Sequence, residues 1–271
     1  MEEPRLVACD VDGTLLGPDG RTTARTIAVV ARVVEAGVPF VLVTGRPPRW
    51  IPPVVDELGY AGLAVCANGA VLYDAAGDRV LSATTLDPVR LRDVADAVHG
   101  AMPGCVLAVE RAGLTAQPAE DEFVTELDYT HPWPGDDLRR VPRDELLGRP
   151  AVKVLVRHPE MTSEAMAEAT AAAVGDSVAV TFSTSNGLIE LAPAGVTKGT
   201  GLATVARTLG VRPVDVIAFG DMPNDLPMLD WAGHGVAMAN AHPSVLEAAD
   251  EVTAPNTDDG VALVLERWFS A

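Results

Sequence analysis

No stretch of this 271-residue chain approaches the ~20 consecutive apolar residues that a membrane-spanning helix needs. The opening Met1-Glu2-Glu3-Pro4 also lacks the basic and then apolar pattern of a secretory signal. The expectation is a soluble, cytoplasmic protein with no membrane partner. Cysteine is scarce: Cys9, Cys66 and Cys105 are odd in number, far apart and set among apolar neighbours. That pattern excludes a disulfide framework and a cysteine zinc site, and it predicts buried, reduced thiols. The histidines, His99, His131, His158, His234 and His242, show no paired metal spacing. Positive charge is short as well. Twenty Lys and Arg against 38 Asp and Glu leave a formal net charge of −18, so no basic stripe can hold nucleic acid or an anionic membrane. The glycines from Gly195 to Gly201 lack the spacing and the Lys-Ser/Thr pair of a P-loop. Neither Gly199-Thr200-Gly201 nor Gly233-His234-Gly235 completes a dinucleotide fingerprint. No internal repeat or long linker breaks the chain.

What is present is a hydrophobic content of 48%, arranged with regular periodicity, in a chain long enough for one large domain or two smaller ones. Leu6 to Cys9 and Val11 have the short, continuous apolar character of a strand buried on both faces. From Thr22 to Glu35, Ile27, Val30, Ala31 and Val34 recur at helical spacing, with Gly37 as the stop. Val38 to Val43 is a second buried strand and Leu63 to Ala67 a third, and Val71-Leu72-Tyr73 with Val80-Leu81 reads as a hairpin. Strand, helix, strand, helix, strand predicts a doubly wound parallel, Rossmann-like α/β sheet.

Beyond Ala83 the rhythm changes. A helix from Leu86 to Ala101, a strand from Val106 to Glu110, and an acidic stretch with Glu120, Asp121, Glu122, Glu126 and Asp128 follow, the last read as a solvated face. Thr130-His131-Pro132-Trp133-Pro134-Gly135 reads as a rigid connector. A strand from Val152 to Val156, a helix from Glu160 to Val174 and a strand from Val178 to Phe182 complete what is expected to be an inserted α/β domain over residues 85–187. The first domain, residues 1–84, is expected to resume over 188–271. Its second half holds the strand Leu188 to Leu191, a helix from Lys198 to Leu209, the strand Val214 to Phe219, Gly235 to Met238, and helices from Pro243 to Ala249 and Gly260 to Phe269.

Charge gathers where these strands end. Asp10 and Asp12 fall at the carboxyl end of the first strand, where open α/β sheets place their sites, and two like charges that close need a cation, a shared proton or solvent. Thr44-Gly45-Arg46 forms a strand-to-helix turn, because Pro47 and Pro48 suit the first turn of a helix and leave free backbone N–H groups before it. Gly220-Asp221-Met222-Pro223-Asn224-Asp225 is a second acidic turn after another buried strand. It adds carboxylates of the kind a hard divalent cation takes, with a helix beginning near Leu226. Taken in order, Asp10-x-Asp12-Gly13-Thr14, Thr44-Gly45-Arg46, Lys198, and Gly220-Asp221-x-x-Asn224-Asp225 resemble the four motifs of the haloacid-dehalogenase-like hydrolases, with no departure at the motif positions. The long insertion, and Asn68-Gly69-Ala70 after the third strand, are similar to the Cof-type branch with its large α/β cap.

The resemblance implies a phosphatase acting on a small phosphorylated metabolite through an aspartyl-phosphate. It makes Asp10 the nucleophile, Asp12 the general acid and base, and Thr44 and Lys198 the remaining catalytic side chains. Thr44, Gly45, Arg46, Asn68, Lys198 and Asn224 would hold the phosphoryl group or orient the site. Mg²⁺ would be bound by Asp10, the Asp12 carbonyl and Asp221, with Asp225 a ligand through water or an anchor behind them. A mobile cap would exclude water and read the leaving group. A sugar phosphomutase shares the same intermediate, and a non-catalytic phosphometabolite-binding protein shares the same residues. Receiver-type signalling domains also use Asp, Thr and Lys around Mg²⁺, but the Asp-x-Asp-Gly-Thr spacing, the second acidic turn and the insertion stand against them. The substrate and the choice between monomer and homodimer stay open at this level.

Overall fold

In the computed structural model β1 (Leu6–Cys9) is an inner strand of an eight-stranded sheet, with all four residues completely buried. The structure describes residues 2–119, 121–130 and 138–270. They divide into two units, one made of Met1–Ser82 with Thr197–Ala271 and the other of Ala83–Val196. The first unit continues through α1 (Ala24–Glu35), β2 (Phe40–Val43), α2 (Pro52–Leu58), β3 (Leu63–Cys66) and the pair β4 (Val71–Asp74) and β5 (Arg79–Ala83). The second unit holds α3 (Pro88–Ala101), β6 (Val106–Glu110), β7 (Phe123–Thr125), β8 (Arg139–Arg140), α4 (Arg143–Leu146), β9 (Lys153–Arg157), α5 (Ser163–Val174), β10 (Val178–Thr181) and β11 (Leu188–Pro193). The chain then returns through α6 (Lys198–Leu209), β12 (Val216–Gly220), α7 (Leu226–Trp231), β13 (His234–Ala237), α8 (Pro243–Ala248), β14 (Glu251–Val252) and α9 (Gly260–Leu265). No helix among the described residues is long and apolar enough to cross a membrane.

The sheet of the first unit has the order β14-β13-β12-β1-β2-β3-β4-β5. β1 pairs in parallel with both β2 and β12, and the parallel run extends to β3 on one side and to β13 and β14 on the other. The β1–β12 boundary is therefore the topological switch point, where open α/β sheets form a crevice outside the strand carboxyl ends. Alternation decides which side chains look the same way. Leu6 and Ala8 pack with Leu202, Val205 and Ala206 of α6, so Asp10, two residues on, starts on the α6 side of the sheet. α1 opens where Thr23 Oγ1 accepts the Thr26 N–H at 3.1 Å, and it ends before Gly37, whose φ of +80° suits a residue without Cβ.

The second unit is a six-stranded sheet in the order β10-β11-β9-β6-β7-β8, antiparallel except between β7 and β8. Here one expectation is corrected. Leu188 does not return the chain to the first sheet, because β11 pairs with β10 and β9, and the crossover falls between Val196 and Thr197. An apolar run declares a buried strand but carries no record of which sheet will take it. The acidic stretch is corrected too. Glu122 is buried and Glu126 Oε2 accepts the Leu107 N–H at 2.8 Å, so these two carboxylates belong to the framework while Asp128 is exposed. Of the proline-rich connector only Thr130 is described, and it is exposed; His131 to Gly135, like Glu120, lie outside the described residues. β7, β8, α4 and β14, two to four residues each, are too short to announce themselves by periodicity. The three cysteines are buried, as expected.

Candidate active site

Asp10 follows β1, Asp221 follows β12, and Lys198 is the first residue of α6, so three different elements deliver charge to one crevice. Lys198 Nζ lies 2.6 Å from Asp10 Oδ1 and 2.6 Å from Asp225 Oδ1, and it is 1% exposed. A cation in the first turn of a helix opposes the helix dipole, so this lysine is placed against local preference and held by the two carboxylates. Thr197 caps α6 in front of it, its side chain accepting the Thr200 N–H at 3.2 Å while Thr200 Oγ1 accepts the Thr197 N–H at 2.9 Å.

Oxygens of Asp10, Asp221 and Asp225 lie within 4.8 Å of one another. Asp225 is completely buried and fully occupied. Its Oδ1 faces Lys198, and its Oδ2 accepts the backbone N–H groups of Asp221 at 3.0 Å and Met222 at 2.9 Å. Asp221 is oriented by Thr14, whose hydroxyl donates to its Oδ1 at 3.0 Å, and its carbonyl accepts the His242 N–H at 2.8 Å. Gly13 is required here. Its φ is +82°, and a Cβ on it would lie 2.3 Å from Asp221 Oδ2. Three carboxylates with one ammonium among them are electrically unfinished. Burial, then Asp225, pushes the Asp221 carboxyl up to about 7 against the pull of the Thr14 hydrogen bond. Burial and the neighbouring Asp225 and Asp221 likewise raise Asp10, with Lys198 pulling the other way. Burial works against the Lys198 ammonium, but Asp10 and Asp225 override it and hold the lysine protonated.

Asp12 is placed differently. Its side chain is 62% exposed and stands outside the carboxylate cluster, with both oxygens taken by Arg46. Arg46 Nε donates to Oδ2 at 2.8 Å and Nη2 to Oδ1 at 2.6 Å. The Arg46 guanidinium, one of the groups expected to hold the phosphoryl group or orient the site, faces a carboxylate of that site. Thr44, buried at the end of β2, accepts the Arg46 N–H at 3.0 Å and so keeps its own hydroxyl hydrogen to donate. Gly45, between them, is half-buried. The turn after β3 clasps this one, with the Ala67 N–H donating to the Arg46 carbonyl at 2.9 Å and the Asn68 N–H to the Thr44 carbonyl at 3.0 Å. Asn68 adopts φ 54° and ψ 32°, is buried, and accepts Asn224 Nδ2 at 3.0 Å on its Oδ1. The other end of the Asn224 amide is buried with no partner among the described residues.

Two supports escaped sequence reasoning. Thr14 lay inside a recognised motif, where its hydroxyl four residues after Asp10 was the available signal. Asn240 gave none: its Nδ2 donates to the Gly13 carbonyl at 2.8 Å and its Oδ1 accepts the Asn256 N–H at 3.0 Å, links that exist only through the fold.

Known proteins are similar to this chain along nearly its whole length. The profile of the haloacid dehalogenase-like hydrolases matches residues 7–265. The chain is 31% identical to an HMP-PP phosphatase of Serratia proteamaculans (strain 568), across 98% of this chain and 95% of the relative. It is 28% identical to a pyridoxal phosphate phosphatase of Escherichia coli (strain K12), across 95% of this chain and 96% of the relative. The crystal structure of a haloacid dehalogenase-like hydrolase from Bacteroides thetaiotaomicron superposes with a TM-score of 0.75 at 26% identity, covering 98% of this chain and all of that one (100%). An eight-stranded sheet with its switch point at β1, an inserted α/β unit and a match across nearly the whole chain lead to one conclusion: the protein belongs to the haloacid dehalogenase-like hydrolase family, in its Cof-type branch.

Proposed function

We propose that the protein is a Mg²⁺-dependent phosphatase that cleaves a small phosphorylated metabolite through an aspartyl-phosphate on Asp10. The observation that carries this reading is the unfinished charge: three clustered carboxylates share the single ammonium of Lys198. A divalent cation and a phosphate ester complete such a site together, because the cation balances the carboxylates and the lysine can face the ester. Asp10, the Asp12 carbonyl and Asp221 would hold Mg²⁺, which supplies charge neutralisation for the phosphoryl oxygens. Asp225, with both oxygens engaged, fits the role of an anchor for Lys198 and the Asp221 turn better than that of a ligand.

In the first half-reaction an Asp10 carboxylate oxygen forms the new bond to phosphorus as the ester P–O bond breaks. Protonated Asp12 gives its proton to the departing alkoxide. In the second, Asp12 takes a proton from the water that attacks phosphorus, which releases inorganic phosphate and restores Asp10. Thr44, the Gly45 N–H, Lys198 and the Asn68–Asn224 pair would steady the phosphoryl oxygens. The pyridoxal phosphate and HMP-PP phosphatases among its relatives favour a small phosphorylated cofactor or cofactor precursor over a macromolecule as substrate.

Asp10→Asn should lower turnover of a panel of small phosphate esters by at least ~10³-fold while the melting temperature is kept or raised, since a buried like charge is removed. Chelation should abolish wild-type turnover and Mg²⁺ should restore it. Undiminished hydrolysis by Asp10→Asn would sink the reading, and a requirement for a bisphosphate activator would redirect it to a mutase.

A further inference from the structure

We propose that Arg46 is the positioning residue for the general acid and base Asp12, and not a holder of the phosphoryl group; this rests on the phosphatase reading above. An aspartate whose side chain is 62% exposed has no packing to fix its rotamer, yet proton transfer needs the carboxyl aimed at one oxygen. The Arg46 fork supplies the missing constraint. Two parallel N–H···O bonds, of 2.8 and 2.6 Å, fix both the position and the plane of the carboxylate. Each oxygen keeps a second lone pair outside the fork, so the carboxyl can carry and deliver a proton while it is held.

Arg46 is itself immobilised. Its N–H donates to Thr44 Oγ1 at 3.0 Å, its carbonyl accepts the Ala67 N–H at 2.9 Å, its Nη1 leans on the Trp50 carbonyl at 3.4 Å, and its side chain is 21% exposed. The turn that presents Thr44 to the phosphoryl group thus also sets where the proton donor stands. A lysine at position 46 would keep the charge but lose the fork.

The role makes a selective prediction, because Asp12 matters in proportion to how badly the leaving group needs a proton. An alkyl phosphate leaves as a strongly basic alkoxide, whereas p-nitrophenyl phosphate leaves as a stable phenolate. The test measures kcat and KM for both esters with Mg²⁺ in wild type, Arg46→Lys, Arg46→Ala and Asp12→Asn, with melting temperatures to confirm folding. The expected result is that the Arg46 variants lose at least ~10-fold more kcat on the alkyl ester than on the aryl ester, in the same direction as Asp12→Asn, with KM little changed. Added guanidinium ion should restore part of the alkyl-ester turnover of Arg46→Ala. A KM rise of equal size on both esters would assign Arg46 to the phosphoryl group and overturn the inference. An equal kcat loss on both esters would reduce it to a structural role and overturn it as well. If wild type cleaves neither ester nor any of the panel, the phosphatase reading falls and takes this one with it.

Discussion

Two lysines stand against eighteen arginines in this chain, both are buried, and the contrast between them separates a scaffold from a site. Lys153, on β9 of the second unit, lies 2.5 Å from Glu190 of β11 in an ion pair whose side chains are 5% and 4% exposed. Lys198 in the first unit faces Asp10 and Asp225, with Asp221 beside them, so negative charge is left over. The pair in the second unit lies inside one sheet, between neighbouring strands. The cluster in the first gathers the ends of two strands and a helix at the switch point, where a ligand can complete it. Burial of charge alone marks neither function nor stability, whereas an imbalance of buried charge at strand ends marks a place for something that is not protein.

Removing each lysine breaks the comparison in a different way. Lys198→Met should lower phosphate-ester turnover by about 10³-fold, the upper end for losing one preorganised donor, and should lower the melting temperature because two carboxylates lose their counter-charge. Mg²⁺ should recover much of that thermal loss, since a cation can balance the same carboxylates. Thermal melts with and without Mg²⁺ beside a turnover assay check both halves, and a melting loss indifferent to Mg²⁺ would make Lys198 ordinary framework.

Lys153→Met should cost about 3 kcal/mol, the low end for orphaning one partner of a buried pair, with no response to Mg²⁺. Replacing both partners, Lys153→Met with Glu190→Leu, should recover part of that loss, because Glu190 no longer leaves a buried charge behind, whereas buried Glu110, opposite Lys153 on β6, stays. Urea unfolding of the two singles and the double measures the coupling, and a double variant as unstable as the sum of the singles would show that the two groups stand in separate networks.

The same contrast explains how much could be read in advance. β1, β2, β3 and β12 with their helices were legible, because a strand buried on both faces writes a continuous apolar run and a covering helix writes a stripe. The carboxylates were legible because they punctuate those runs at Asp10, Asp12 and Asp221. Leu188 to Leu191 is legible as a strand but not as a strand of the second sheet, since pairing is a long-range choice that three apolar residues around Glu190 do not encode. The turn that carries Arg46 is legible, but its partner is not. Asp12 lies 34 positions away, and only the fold brings the fork to the carboxylate. Asn240, which reaches the Gly13 carbonyl across 227 positions, belongs to the same class of information.

The smallest effect sets the cluster against an ordinary surface carboxylate. Glu251 of β14 receives both Arg267 and, at 2.9 Å, His234 Nε2, and these partners hold its carboxyl down at about 2, with Arg267 the larger influence. A lowered folded-state pKa contributes stability above the ordinary glutamate value of 4.5 and loses it as pH falls from there through about 2. Asp221 carries the opposite sign: raised to about 7, it favours the metal-free fold at low pH and withdraws that contribution as pH rises from its ordinary 3.8 toward 7. With solvent screening of a rim ion pair, the Glu251 contribution is about 1 kcal/mol. Arg267→Gln should therefore destabilise the protein by about that much at pH 6 and by much less at pH 3, where the glutamate is increasingly protonated in the unfolded chain and in the weakened pair alike. Urea midpoints of wild type and variant at the two pH values give the difference directly. A gap that persists undiminished at pH 3 would mean that Arg267 acts through packing of its stem and not through the carboxylate it holds.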